Sequence, residues 1–149
     1  MVWGAFSDDG YTQLIRIQGN LDSNGYVEIL RHGLLPAWGT LLPNGGLFQQ
    51  DNAPIHRSQI TSAFLDNSNV NRLPWPALSP DMNPIENVWG IMSKEIDKVK
   101  IENADQLFDK LVEIWQLKMS DMNFRHSLIN SMPQRVKALK DAGGGPTKY

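Results

Sequence analysis

The chain has 149 residues, 41% of them hydrophobic and 20% charged, the make-up of an ordinary globular domain with one core. Fourteen Lys and Arg against sixteen Asp and Glu leave a net charge of −2, which excludes a uniformly basic nucleic-acid binder; DNA contact would need a local basic patch or a partner segment. The absence of cysteine excludes disulfides and thiol chemistry, no apolar run approaches the about 18 residues of a membrane helix, and the opening MVWGAFSDDG has no signal-peptide pattern.

The first predicted element is a hairpin. The stretches VWGAF and YTQLIRI are rich in β-formers, and Ser7-Asp8-Asp9-Gly10 between them is a turn cluster. A helix is predicted over residues 23–34, with Tyr26, Val27, Leu30 and Leu34 at helical spacing and Pro36 as its stop. The stretch TLLPNGG reads as loop, and GLFQQ as a short strand that delivers Asp51 at its C-terminal end. Pro54 suits the first turn of a helix that runs to about Leu65 and buries Ile60, Phe64 and Ala63. VNRLPW is a short strand cut off by Pro74, and a proline-rich loop follows from Trp75 to Met82. Asn83-Pro84-Ile85-Glu86 has the pattern of a helix start: Asn at the N-cap, Pro at the first position, Glu at the third. Ile85, Val88, Trp89, Met92, Ile96 and Val99 then form an apolar stripe about 100° wide. A further helix starts at Asn103, with Gln106 completing a similar box, and buries Leu107, Phe108, Leu111, Val112 and Trp115. The last runs from Pro133 to Asp141, after Ser131, and ends at Gly143. The order β-β-α-β-α-β-α-α-α is an α/β pattern with a mixed sheet.

Two carboxylates stand out. Asp51 lies where a strand enters a loop, the place at which open α/β sheets bind ligands. Glu86 lies in the first turn of the helix after the next strand, and residues 52–85 between them make one α-β-loop excursion that can return to the same sheet edge. Two hard oxygen ligands on rigid elements suit Mg²⁺ or Mn²⁺, and paired ions of this kind drive in-line displacement at phosphorus. Local readings compete with this one. Glu86 is a good capping residue whatever else it does. Asp51-Asn52 can form a plain Asx turn, and His56 can be a surface or polar-contact histidine. His32 and His126 have no convergent partners and read as structural.

The segment QQDNAPIH followed by WPALSPDMNPIENVWG resembles the catalytic core of the mariner-type transposases of the DDE superfamily. MVWGAFSDDG at the start and SMPQRVKALKDAGGGPTKY at the end are similar to the same family, so the resemblance covers residues 1–149. It implies a ribonuclease H-like fold, a mixed sheet flanked by helices. It makes Asp51 the family's second catalytic acid and Glu86 its third, both of them metal ligands for Mg²⁺ or Mn²⁺. Asn52 and His56 match positions that support the active site. The implied reaction is metal-dependent DNA cleavage at transposon ends and joining of the freed 3′-hydroxyl to target DNA, by direct transesterification. The implied partners are transposon-end and target DNA and, for the full-length protein, a second copy; the implied location is the nucleus.

The family's first catalytic Asp belongs to a strand upstream of the segment that matches MVWGAF. The resemblance therefore implies a catalytic domain lacking its first strand and the N-terminal helix-turn-helix modules. Asp8 and Asp9 match the turn between the next two strands and do not replace the missing acid. The expectation is a truncated relic without activity of its own and with doubtful metal occupancy. The alternatives are a domesticated nucleic-acid- or protein-binding module, or one part of a longer active transposase. Arg135, Lys137, Lys140 and Lys148 are candidates for DNA backbone contact, with a solvated helix face as the competing reading.

Overall fold

The computed structural model describes residues 1–76, 79–145 and 147. Where the length suggested one core, contacts divide the chain into two compact units, Met1–Ser79 and Pro80–Tyr149.

In the first unit the hairpin forms as read. Strands β1 (Val2–Trp3) and β2 (Ile15–Arg16) pair antiparallel, Val2 with Arg16 and Trp3 with Ile15. A bridge between Phe6 and Tyr11 carries the pairing to the turn. There the Ser7 hydroxyl accepts from the Asp9 and Gly10 N–H groups at 3.1 Å, which closes a tight turn through a side chain. Helix α1 (Ser23–Ile29) starts at Ser23 as read, and the Asp22 carboxylate caps it by accepting from the Gly25 N–H at 2.8 Å.

Pro36 does not stop this helix. The chain widens into a π turn over Leu30–Leu34, tightens to a 3-10 turn over Leu35–Ala37, and continues as α2 (Trp38–Leu41). A proline ring collides with the carbonyl four residues back and brings no N–H. The π turn moves the preceding bond to the fifth residue, Leu35 N–H to Leu30 carbonyl, and Pro36 falls in the first turn of the next segment, where it is tolerated.

The two expected strands after it shrink to a parallel bridge between Phe48 and Arg72. Phe48 donates to the Asn71 carbonyl at 2.7 Å and accepts from Leu73 N–H at 2.9 Å. Gly45, with φ at 78°, turns the chain just before the pairing, and Pro74 follows it, so neither side extends. The expected mixed sheet is thus a two-stranded ladder plus one parallel bridge among the described residues.

Between Phe48 and Arg72 run α3 (Pro54–Arg57) and α4 (Gln59–Asn67). Ser58, extended at ψ 152°, breaks what reads as one helix and caps the second half by accepting from Thr61 N–H. The restart changes the buried face. Thr61 and Leu65 point inward, Phe64 is half-buried, and Ile60 and Ala63, expected inside, are exposed, Ile60 at 50%. The core of this unit is Tyr26, Leu30, Leu34, Leu41, Phe48, Leu65 and Val70.

In the second unit a 3-10 turn (Pro80–Met82) leads into α5 (Pro84–Ile96). Val88 and Met92 are fully buried, while Val99 lies past the helix end and is exposed. Helix α6 (Ala104–Ser120) is capped by Asn103, which accepts from the Asp105 and Gln106 N–H groups; Gln106 closes the box on Glu102 N–H, one residue before the cap. Trp115 of α6 stacks on Trp89 of α5, centroids 5.5 Å apart. Leu107, Phe108, Leu111 and Val112 are half-buried, and the deepest positions lie further along, at Ile114, Trp115 and Met119. Helix α7 (Met122–Asn130) has no counterpart in the sequence reading, although Asp121 caps it by accepting from Asn123 and Phe124 N–H. Helix α8 (Met132–Asp141) ends as expected at Gly143, whose φ of 60° suits glycine.

Candidate active site

Asp51 stands three residues beyond the parallel bridge, so the pairing of Phe48 with Arg72 aims the chain that carries it. Its Oδ1 accepts from the Ala53 N–H at 2.9 Å, an Asx turn of the kind the local sequence suggests. The same oxygen lies 2.5 Å from His56 Nδ1. A carboxylate accepts, so Nδ1 carries the proton and donates. Both bonds fall on Oδ1; among the described residues none falls on Oδ2, and the side chain is 59% exposed. The Asx turn and the site reading are therefore compatible, since both bonds use one oxygen of a side chain that is mostly exposed.

His56 is more enclosed, at 18% exposure, with its ring 4.3 Å from that of Tyr26. It is a contact histidine, packed on one side and bonded to a carboxylate on the other. Asn52 donates its amide to the Trp75 carbonyl at 2.7 Å, which ties the Asp51 loop to the segment after the second bridge strand. The first unit thus brings together Asp51, Asn52 and His56. They border a cavity of about 250 Å³, which Arg57, Arg72 and Trp75 also line. Arg72 is paired with Asp66 at 2.5 Å, and Arg57 is exposed.

Sequence reasoning missed two members of this constellation. The Tyr26 hydroxyl donates to Gln50 Oε1 at 2.7 Å, and Gln50 Nε2 donates to the His56 carbonyl at 3.3 Å. Tyr26 reads as one more apolar position of a helix stripe. The only signal was Gln50 itself, an amide where the strand should carry an apolar residue. Burial pushes the Tyr26 phenol above the usual tyrosine range; the bonded Trp3 indole pulls the other way, and the charge of Asp51 adds to the rise.

Glu86 belongs to the second unit, in the first turn of α5, and is exposed. Its N–H donates to the Asn83 carbonyl at 3.1 Å. Asn83 is the N-cap by position but makes no side-chain cap bond, and its own N–H donates to the Pro80 carbonyl at 2.9 Å. Among the described residues no group of three or more His, Asp and Glu side chains stands close enough to hold a metal ion.

The basic stripe near the C-terminus needs correction. Arg135 is 2% exposed, and its guanidinium donates to Ser131 Oγ, the Asp81 carbonyl and Asn87 Oδ1 at 2.7, 2.6 and 2.5 Å. It ties α8 to the 3-10 turn and to α5 and is not available to a DNA backbone. Lys137 is exposed and pairs with Asp141 at 3.0 Å; Lys140 is exposed; Lys148 lies outside the described residues. His32, beside Glu28, and His126, beside Asn130, sit on exposed helix faces.

Residues 2–108 match the model of the DDE superfamily endonucleases. Over its full length the chain is 41% identical to the transposase of the Tcb1 element of Caenorhabditis briggsae and 38% identical to that of the Tc1 element of Caenorhabditis elegans, covering 54% of each. It thus spans about half the length of the curated relatives it matches. A Mos1 mariner paired-end complex with Mn superposes with a TM-score of 0.83 at 22% identity, over 99% of this chain and 44% of that one. The Mos1 mariner transposase catalytic domain does so at 0.77 and 18% identity, over 99% and 82%. These likenesses establish the α/β, ribonuclease H-like fold, here helix-rich with a short two-stranded sheet. By the match over residues 2–108 and its Tc1/mariner relatives, the chain belongs to the DDE superfamily endonucleases.

Proposed function

We propose that the chain is part of the catalytic domain of a Tc1/mariner-type transposase, in which Asp51 and Glu86 are two of the carboxylates that hold Mg²⁺ or Mn²⁺ for DNA cleavage and strand transfer. The observation that carries this is the Asp51 carboxylate. Its Oδ1 is fixed by His56 and by a backbone N–H, the side chain is 59% exposed and borders a cavity, and ligating carboxylates are oriented in this way by partners behind them. The Asp51 carboxylate is the hard oxygen donor that a hard divalent cation takes, and the near nitrogen of His56 is occupied by it. When bound, such ions supply an activated attacking oxygen and charge stabilisation at phosphorus. Asn52 holds the loop, and His56 fixes the carboxylate. The Mos1 catalytic domain has been solved with Mg and with Mn, and one Mos1 complex carries the left transposon end. By this analogy the partners are transposon ends, target DNA and a second copy of the full-length protein, acting in the nucleus. Exposed Lys137 and Lys140 would meet backbone phosphates.

On this reading the 149-residue chain carries two of the family's three acids, so alone with Mg²⁺ it is expected not to nick a transposon-end duplex. Mn²⁺ binding, followed by electron paramagnetic resonance, should weaken by at least about tenfold in Asp51→Asn. Glu86→Gln separates capping from ligation. The amide can still cap, so stability should stay within about 1 kcal/mol. It has lost the charge a divalent ion favours, so in a chain extended upstream to include the family's first acid it should abolish cleavage. Cleavage at the parent rate would leave Glu86 as a helix-end residue. Mn²⁺ affinity unchanged in Asp51→Asn would favour the non-catalytic binding module instead.

A further inference from the structure

We infer that the Tyr26 hydroxyl and the Gln50 amide are positioning groups for the Asp51 carboxylate, acting through His56. The inference rests on the metal reading of Asp51.

It begins with α3, which is four residues long and ends at the Ser58 break. A single helical turn has no stability of its own. The turn as a whole is held at Ile55, which packs on the core and whose carbonyl accepts from Thr61 Oγ1 at 2.7 Å. Two further contacts fix His56 itself, its third residue. The Tyr26 ring packs against the imidazole, centroids 4.3 Å apart at 37°. The Gln50 amide donates to the His56 backbone carbonyl at 3.3 Å. Both contacts depend on Tyr26, because its hydroxyl donates to Gln50 Oε1 at 2.7 Å and so fixes which way the amide faces. With Oε1 engaged, Nε2 is directed to the His56 carbonyl. The imidazole is then pinned by a ring face and a backbone atom, and Nδ1 meets Asp51 Oδ1 at 2.5 Å.

Tyr26 itself is an anchor of the right kind. It sits on α1 at 1% exposure within the core of the first unit. A phenol is protonated at neutral pH and burial pushes its titration higher still, so it is a constant donor there. The order core, Tyr26, Gln50 and His56, Asp51 thus transmits the rigidity of the core to a carboxylate on an exposed loop. Gln50 meets the Tyr26 hydroxyl at one end of its amide and the His56 carbonyl at the other, and so couples the two.

Tyr26→Phe keeps the ring and removes the hydroxyl. In the 149-residue chain two signals read the result: the ring nitrogen shifts of His56 by NMR, and the Mn²⁺ dissociation constant from paramagnetic broadening of the Ala53 amide. The expectation is a folded protein whose His56 signals move toward those of a solvated imidazole and whose Mn²⁺ binding weakens about tenfold. Gln50→Leu, which leaves Tyr26 in the core, should give the same two changes and carries the test if Tyr26→Phe does not fold. A folded variant that loses stability but keeps the parent His56 signals and the parent Mn²⁺ affinity overturns the inference. If the parent chain binds no Mn²⁺, the metal reading of Asp51 falls. The His56 signals then still decide whether Tyr26 and Gln50 hold the Asp51–His56 pair.

Discussion

Arg135 and Lys137 differ by two positions on one short helix and have opposite surroundings. Arg135 is buried with donors on three partners, and Lys137 is exposed. The stretch PQRVKALK does not tell them apart, because Asp81 and Asn87, which decide the matter, lie far back in the chain. Tyr26 is hidden for the same reason, since its partner Gln50 is on another element. Asp51 and Glu86 could be singled out because their local motifs are unusual, whereas the partners that orient Asp51 could not. Removing a buried cation strands the acceptors around it, while an exposed pair contributes little. Arg135→Met should therefore lower the free energy of unfolding by about 3 kcal/mol in urea titration. Lys137→Met should change it by less than about 0.5 kcal/mol. Equal effects would mean that the three bonds of Arg135 add nothing beyond surface polarity.

At the scale of elements, helix ends were legible and strand extents were not. A cap is a contact between near neighbours, so Asn103 and Gly143 announce themselves in sequence. Strand length depends on a partner far along the chain, and GLFQQ and VNRLPW kept a single bridge. Two helix readings failed through local chemistry that outweighed periodicity. Pro36 was absorbed by a π turn, and Ser58 restarted a helix that hydrophobic spacing would have run straight through. The second of these sets the site, since it limits α3 to one turn around His56. Ser58 Oγ accepts from Thr61 N–H at 3.2 Å and donates within the same corner, where Thr61 is fully buried. Ser58→Ala should lower stability by about 1 kcal/mol. Ser58→Asp, which keeps an acceptor at the cap, should stay within about 0.5 kcal/mol of the parent. Chemical denaturation of the two variants checks this, and an alanine variant as stable as the parent would mean that the Ser58 hydroxyl does not hold the break.

For the whole molecule, the α/β pattern came from the order of elements, but the ribonuclease H-like fold came only from the resemblance of the two acidic segments. Strand spacing could not have supplied it, because the ladder that forms pairs two residues on each side. The boundary between the two units, at Ser79 and Pro80, falls in the proline-rich stretch that reads as loop. Net charge is the remaining whole-chain property with a functional consequence. At −2, and with Arg135 withdrawn into the interior, the chain's overall field does not favour a polyanion. The affinity of a protein for non-specific DNA falls with salt at a slope of about −0.9 per phosphate neutralised. The chain should therefore bind random duplex weakly, with a log–log slope no steeper than about −2. Lys140→Ala should flatten that slope by about 1. Fluorescence anisotropy across a salt series measures both. A slope steeper than about −5 would require a concentrated basic face on this chain and would shift the source of DNA affinity from a partner segment to these residues.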